Sequence, residues 1–224
     1  MGLFDKKTCC VCGGKAKKDY EELKDGLLCK KCLKKVSPWF AFEGDTTSEQ
    51  VKEHMELKEQ RKAEEATFSC DCDSGEGLQK LCIDKTQRKI MITDKLGDDP
   101  EVYDLDAIKD IVLQKKEGLL TTDREMRTSM KREYLYSFRV LMTIDDPYVK
   151  QIPFEYKAKP VITGITRLTD GVLEEAIAKS DTTSGAINNA LSGLSQKTLD
   201  TIAANTAEGE AIIADLKEAQ NAAS

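Results

Sequence analysis

The chain contains 224 residues, of which 33% are charged and 40% are hydrophobic, and it carries a formal net charge of −6. This length suits one or two domains with extensions, and the apolar runs are shorter than the ~20 residues that a membrane-spanning helix needs. Residues 1–7 contain no apolar stretch of signal-peptide length. We therefore predict a cytoplasmic protein, in which cysteine thiols stay reduced.

Two C-x-x-C pairs lie near the start of the chain. Cys9 and Cys12 are separated by sixteen residues from Cys29 and Cys32. Four thiolates at this spacing are typical of one tetrahedral structural zinc site, which can hold a module that has almost no core of its own. The sequence therefore predicts one Zn²⁺ ion per chain with these four cysteines as ligands. Cys10 is a less well spaced alternative to Cys9, and a redox pair or iron is the alternative chemistry.

Residues 1–42 are predicted to form this zinc module, with a treble-clef or zinc-ribbon fold. Gly13 follows the second ligand and lets backbone N–H groups turn toward the sulfur atoms. Residues 24–26 predict a turn, and residues 32–36 predict a short helix. The aromatic residues at 39–42 are expected to cover the module, with an exposed partner-binding patch as the alternative.

The charge is unevenly distributed along the chain. Residues 1–40 contain ten lysines and five acidic residues, a net charge of +5, so the remainder carries −11. A basic zinc module can bind nucleic acid. These forty residues contain no arginine, the side chain that dominates base recognition. We therefore favour the simpler explanation that a small module with little interior is rich in lysine.

Residues 43–66 are predicted to form a connecting helix. Thr46 or Thr47 can cap its N-terminus, and the helix contains only one good apolar pair at helical spacing. We therefore expect a solvated helix. His54, the only histidine of the chain, lies on it and is expected to be exposed and without a chemical role.

Residues 67–180 are predicted to form a β domain with a closing helix. Apolar residues alternate with polar ones over several short segments and over one long run at 134–144. Asp170 is predicted to cap a helix that ends near Lys179. The order of elements predicts an α+β protein with a small antiparallel β sandwich or open barrel, by analogy with pleckstrin-homology-like folds. The alternating segments lie at 68–72, 81–83, 90–92, 102–103, 111–113, 134–144 and 152–156.

Residues 181–224 are rich in Ala, Ser, Thr and Asn and are predicted to form a helical tail. Two narrow apolar stripes at helical spacing lie at 187–202 and 212–216. They can pack on the β domain, mediate self-association or bind a partner helix, and an isolated helix of this size is only marginally stable.

Cys70, Cys72 and Cys82 leave two interpretations open. They are either small buried side chains of the β domain, which we favour, or a second metal or redox site. The sequence contains no phosphate-binding G-x-x-x-x-G-K-[ST] loop, no G-x-G-x-x-G after a strand and no H-E-x-x-H motif. With a single histidine and with paired acidic residues placed in turns or on a helix surface, we do not expect an enzyme.

Two sequence motifs, CCVCGGK at 9–15 and KDGLLCKKC at 24–32, resemble an uncharacterised bacterial family, a domain of unknown function whose members begin with a zinc ribbon. Strand motifs similar to that family follow at 81–84 (LCID), 102–111 (VYDLDAIKDI) and 143–147 (TIDDP). The resemblance covers residues 8–156 and implies a zinc site followed by a pleckstrin-homology-like β domain. The family has no established activity, so the resemblance predicts no reaction.

The sequence favours a non-catalytic zinc-binding adaptor that presents surfaces to protein partners, with self-association through the C-terminal helices. A nucleic-acid-binding regulator that uses the basic zinc module is the first alternative. A peripheral membrane module is the second, and it would need a basic pocket in a chain whose middle and end are acidic.

Overall fold

The structure is a computed structural model that describes residues 7–16, 19–74, 79–94, 96–119, 133–164, 168–174 and 194–222. The chain divides into two compact units. The first unit contains Met1–Asp73, Lys80–Asp110 and Met142–Ile152, and the second contains Ser74–Gln79, Ile111–Leu141 and Pro153–Ser224. None of the described helices has the length and apolar character needed to cross a membrane.

The described helices and strands, in chain order, are β1 (Tyr20–Leu23), β2 (Gly26–Cys29), α1 (Lys30–Leu33), α2 (Ser48–Glu65), β3 (Cys72–Ser74), β4 (Leu81–Asp84), β5 (Lys89–Ile92), β6 (Glu101–Asp104), a 3₁₀ turn (Leu105–Ala107), β7 (Ile108–Leu119), β8 (Tyr134–Ile144), β9 (Gln151–Phe154), β10 (Val161–Thr163) and α3 (Gln196–Asn221). Within the described residues, the strands form one two-stranded hairpin, β1–β2, and two four-stranded sheets. One sheet has the order β3-β4-β5-β6; in the other, β8 pairs with β7, β9 and β10. The pairs β1–β2, β4–β5, β5–β6 and β8–β10 are antiparallel, so the described chain is an α+β protein with antiparallel sheets, as predicted.

The long alternating run at 134–144 is strand β8, with the predicted bounds. Every second residue from Tyr136 to Ile144 is buried, because successive side chains of a strand point to opposite faces. Tyr134, the first residue of the predicted apolar face, is only half-buried. Strand β7 is much longer than the predicted segment at 111–113, and β10 has no predicted counterpart.

Helix α2 confirms the predicted helix but is not solvated as expected. Thr47 and Gln50 form a reciprocal capping box at its N-terminus. The Asp25 carboxylate, in the turn between β1 and β2, accepts hydrogen bonds from the Ser48 N–H at 2.8 Å and from the Ser48 hydroxyl at 2.6 Å. Val51 is fully buried, so the start of α2 packs on the hydrophobic core that contains Cys9, Cys29 and Cys32 instead of leading away from it.

Further along α2, charged side chains take part in a buried ionic network within the first unit. Lys58 Nζ lies 3.0 Å from the Glu101 carboxylate, which also accepts a hydrogen bond from the Tyr103 hydroxyl at 2.6 Å. Arg61 pairs with Asp146, and its guanidinium lies 4.6 Å from the centroid of the Tyr103 ring. These ion pairs therefore attach the polar face of α2 to Glu101 and Asp146, because charged side chains can be buried when they are paired and hydrogen-bonded.

His54 is fully buried, so the prediction of an exposed histidine is wrong. The Ser37 backbone N–H donates to His54 Nε2 at 3.0 Å, and the rings of Phe40 and Tyr148 lie 4.9 and 5.5 Å from the imidazole, between centroids. Because Nε2 accepts a hydrogen bond, the neutral imidazole carries its proton on Nδ1. The error arose because the charged neighbours of His54 in the sequence suggested a solvated surface.

The buried histidine predicts a loss of stability in mild acid. Burial, assisted by Arg61 and Lys58 and opposed by Asp146, lowers the pKa of His54 to about 4. The pKa of a histidine in the unfolded chain is ~6.5. The stability that the buried neutral imidazole contributes is therefore complete above that pH and is lost as the pH falls toward the folded-state pKa of about 4. We expect the free energy of unfolding to fall by about 2 kcal/mol between pH 7 and pH 5 through this group. Urea unfolding at both pH values measures it; a His54→Gln variant with the same pH dependence as the wild type would contradict it.

In the described part of the C-terminal segment, residues 194–222, the chain forms one long helix, α3, where parts of two short stripes were predicted, and α3 packs on β10 in the second unit. The Tyr156 hydroxyl donates to the Asn205 carbonyl at 2.6 Å, and the Asn205 amide bonds the Lys159 N–H and C=O at 2.9 and 2.7 Å. A Cβ at Gly209 would lie 2.5 Å from Leu113 Cδ1, so a glycine is needed for this close approach. The buried face consists of Leu199, Ile202, Asn205, Thr206, Gly209, Ile212, Leu216 and Ala219.

Two further predictions fall partly on residues that the structure does not describe. Residues 170–174 are helical and the Leu173 N–H donates to the Thr169 carbonyl, so the helix includes Asp170 as its first residue. The predicted end near Lys179 and the first part of the stripe at 187–202 lie outside the described residues.

The three cysteines that follow α2 lie in different environments. Cys82 is buried on β4, which confirms the core interpretation for this residue. Cys70 is exposed and precedes β3, which begins at Cys72, so the core interpretation is wrong for Cys70.

Candidate metal centre

The four predicted zinc ligands lie together in space. The Sγ atoms of Cys9, Cys12, Cys29 and Cys32 are all within 4.8 Å of one another. The Cys9–Cys32 separation is 3.9 Å and the Cys12–Cys29 separation is 3.7 Å. Four sulfurs at ~2.3 Å from a tetrahedral ion lie ~3.8 Å apart, so this spacing fits zinc. Of the residues that the structure describes, these four form the only group of three or more Cys, His, Asp or Glu side chains close enough to share an ion.

The first ligand pair is positioned by a tight backbone turn. The Cys9 N–H donates to the Gly14 carbonyl at 2.7 Å, and the Gly13 N–H donates back to the Cys9 carbonyl at 2.9 Å. Gly13 has a φ of 68°, a conformation that glycine adopts without steric cost. The turn at residues 9–14, which we call the knuckle, therefore brings Cys12 back beside Cys9, and it confirms the predicted role of Gly13 as a turn residue after the second ligand.

The second ligand pair lies where β2 meets α1. Cys29 is the last residue of β2, and Cys32 is the third residue of α1. Positions three apart on a helical turn share a face, which places both sulfurs on one side. The predicted helix at 32–36 therefore begins two residues too late, because the helical turn itself aligns the ligand pair. The Cys29 N–H also donates to Cys9 Sγ at 3.4 Å and links the two pairs.

Cys10 does not replace Cys9 in the cluster. Its N–H donates to the Leu27 carbonyl at 2.9 Å, and its Sγ lies 3.3 Å from the same oxygen. Its side chain packs against Gly26, where a Cβ would come within 2.9 Å of Cys10 Cβ. Burial, followed by the charges of Asp25 and Cys9, raises the pKa of the Cys10 thiol. Cys10 is therefore a packing residue of the β1–β2 hairpin.

Backbone hydrogen bonds favour a thiolate at Cys9. Burial alone would raise the pKa of this thiol, but backbone N–H groups, that of Cys29 foremost, outweigh burial and lower the pKa to about 6. At Cys32, burial and hydrogen bonds with the neighbouring thiols raise the pKa. Four thiolate sulfurs make a soft ligand set. Such a set suits zinc or iron and not magnesium or calcium, which are hard ions that prefer oxygen ligands.

A hydrophobic core surrounds the sulfurs, so the expectation of an almost coreless module is wrong. Phe40 packs on Phe42 with ring centroids 4.6 Å apart and stacks on Tyr148 at 5.9 Å, which confirms the covering role for Phe40 and Phe42. Trp39 instead contacts Tyr103 of β6, with ring centroids 6.5 Å apart. Sequence reasoning missed Val51 as a core residue, although its apolar spacing with Met55 was the available signal. The buried residues of this cluster are Cys9, Ala16, Leu23, Leu28, Cys29, Cys32, Val36, Phe40 and Val51.

Comparison with known proteins matches this part of the chain to one family. The family model described as Domain of unknown function (DUF4428) matches residues 8–54. The matched segment contains all four sulfur ligands, together with Val51 and His54, the buried residues of α2. The resemblance predicted for residues 8–156 is therefore shown for 8–54. No curated protein and no solved structure matches the chain.

Proposed function

We propose that residues 8–54 form a structural zinc module in a protein that acts by binding partners and not by catalysis. The observation that carries this proposal is the separation of the sulfurs, which all lie within 4.8 Å of one another and are 3.9 Å apart in Cys9–Cys32 and 3.7 Å apart in Cys12–Cys29, as four bonds to one ion require. An ion that is saturated by four thiolates has no open position for water or substrate, unlike a catalytic zinc ion. The bound ion would hold the knuckle, the hairpin and α1 together.

Metal analysis of the purified full chain tests the zinc site. We expect about one zinc per chain after growth in metal-replete medium, because structural zinc sites of this kind bind tightly. The matched control is Cys70→Ser, which removes an exposed thiol outside the cluster and should leave the zinc content unchanged. A content below about half a zinc per chain in the wild type would contradict the proposal.

The adaptor role is supported by an exposed basic surface on the zinc module. Lys30, Lys31, Lys34 and Lys35 all lie on or directly after α1 and are exposed. A surface of this kind complements an acidic face of a protein partner. A pleckstrin-homology-like arrangement of residues 67–180, a cytoplasmic location and self-association stay predictions.

Nucleic-acid binding is the second candidate function, since the same four lysines could contact phosphates. A gel-shift experiment with the full chain, labelled duplex DNA and labelled single-stranded RNA tests it at low and at physiological salt. Binding that weakens steeply with salt and is lost in Lys31→Glu/Lys34→Glu would support this candidate. An absence of any shift at low salt would remove it and leave the protein-binding adaptor.

A further inference from the structure

The four sulfurs differ sharply in their exposure to solvent. Cys9, Cys29 and Cys32 are 2%, 6% and 4% exposed, whereas the Cys12 side chain is open to solvent. An open cavity of about 550 Å³ reaches the cluster from this side. Two of the four ligands, Cys12 and Cys29, line it, and Cys9 and Cys32 do not. Cys12 is therefore open to solvent and small solutes, and Cys29, although buried, lies in the wall of the same cavity.

We propose that Cys12 and Cys29 are a site of oxidative modification, at which hydrogen peroxide joins the two sulfurs in a disulfide and releases the zinc ion. The proposal rests on the zinc site proposed above and deepens it, because it assigns a route by which the bound ion is lost. Lys15, Lys31 and the Lys30–Asp19 ion pair, whose nitrogen and oxygen are 2.9 Å apart, line the same cavity, so three lysines and one aspartate give it a positive balance beside the exposed sulfur.

The reaction takes place in two steps, and atoms and electrons are conserved in each. In the first, Cys12 sulfur attacks one peroxide oxygen, the O–O bond breaks, hydroxide leaves and a sulfenic acid forms on Cys12. In the second, the Cys29 thiolate attacks Cys12 sulfur, an S–S bond forms and a second hydroxide leaves. The two thiolates lose two electrons in total, and one peroxide gains them. The zinc ion then keeps only Cys9 and Cys32 as ligands and is released.

The geometry of the cluster favours Cys12 and Cys29 as the two sulfurs that form the disulfide. Cys12 Sγ and Cys29 Sγ are 3.7 Å apart, so only a short side-chain movement brings them to a disulfide bond length of ~2.05 Å. The Cys9–Cys32 pair is nearly as close, at 3.9 Å, but neither residue lines the cavity. Lysine side chains beside Cys12 also stabilise the hydroxide that leaves when its sulfur attacks the peroxide.

Zinc release and disulfide mapping on the same sample test the proposal. The zinc-loaded full chain is treated with hydrogen peroxide while 4-(2-pyridylazo)resorcinol reports free zinc, and the remaining thiols are then blocked under denaturing conditions. Trypsin separates Cys29 from Cys32, because it cleaves after Lys30 and Lys31. We expect zinc release together with a disulfide between peptides 8–15 and 25–30, assigned to Cys12 by fragmentation.

Lysine variants test the role of the cavity with matched charge changes. Lys15→Gln/Lys31→Gln should slow peroxide-driven zinc release several-fold. The control Lys34→Gln/Lys35→Gln removes the same charge from exposed lysines outside the cavity lining and should leave the rate unchanged. Equal rates in both variants would contradict the role of the cavity lysines.

The two proposals fail in different ways. A chain that is isolated without zinc would overturn the zinc site itself. A chain that binds zinc but keeps it in peroxide, or that forms Cys9–Cys32 or Cys9–Cys12 as its first disulfide, would overturn the assignment of Cys12 and Cys29 and leave the structural zinc site standing.

Discussion

A Cys32→Ser variant is expected to lose the metal and to unfold residues 8–36. Cys32 is 4% exposed in the middle of the zinc-module core, and its sulfur lies 3.9 Å from Cys9 Sγ. Three remaining sulfurs do not close a structural site, and zinc binding in such modules supplies ~10–16 kcal/mol of apparent free energy. Amide spectra of the labelled protein should lose the dispersed signals of β1, β2 and α1.

The control for this prediction is Cys70→Ser, which alters an exposed thiol outside the core. It should keep both the zinc and the dispersed signals. If Cys32→Ser lost its zinc but kept those signals, the apolar core around Leu28 and Val51 would hold the module without metal, and the structural role of the ion would be wrong.

An Asp146→Ala variant is expected to cost about 3–5 kcal/mol of unfolding free energy, because it leaves a buried charge without its partner. Arg61 and Asp146 side chains are 17% and 2% exposed, and Asp146 also accepts hydrogen bonds from the N–H groups of Tyr148 and Val149, each at 2.8 Å. Although burial opposes it, the pairing with Arg61 together with these N–H groups lowers the pKa of Asp146. The carboxylate therefore orders the turn after β8 as well as pairing with α2.

Asp145→Ala provides a matched control one residue away. Asp145 pairs with Lys109 at 3.2 Å, but the two side chains are 69% and 58% exposed. Such surface pairs contribute about 0–1 kcal/mol, so the control should change stability little. Chemical unfolding of both variants measures the difference. Equal losses in the two variants would mean that the buried network does not anchor α2.

The parts of the fold that the sequence predicts depend on spacing within a short segment. The ligand set follows from two C-x-x-C pairs, and β8 follows from a period of two over eleven residues. The start of α2 follows from Thr47 and from the helical composition after it. In each case, neighbours in the chain determine the local geometry, so no knowledge of distant contacts is needed.

The parts of the fold that the sequence does not predict depend on contacts between segments that are distant in the chain. His54, Lys58 and Arg61 lie on one side of α2, and their sequence neighbours suggest a solvated helix. Their partners come from distant segments, namely Ser37, β6 and the turn after β8. On α3, the burial of Asn205 and Gly209 was missed for a related reason, since neither residue type is a signal of a core face. Asn205 is buried because the backbone N–H and C=O of Lys159 satisfy the hydrogen bonds of its amide. Gly209 is buried because a residue without a side chain lets Leu113 and Tyr156 approach the helix closely.

The centre of the account is a single ion bound by Cys9, Cys12, Cys29 and Cys32. X-ray absorption at the zinc edge on the purified full chain tests it most directly, since it reports the type, number and distance of the atoms bound to the metal. We expect four sulfur atoms at about 2.3 Å and no nitrogen or oxygen. A shell that contains oxygen or nitrogen, or fewer than four sulfurs, would contradict the closed structural site.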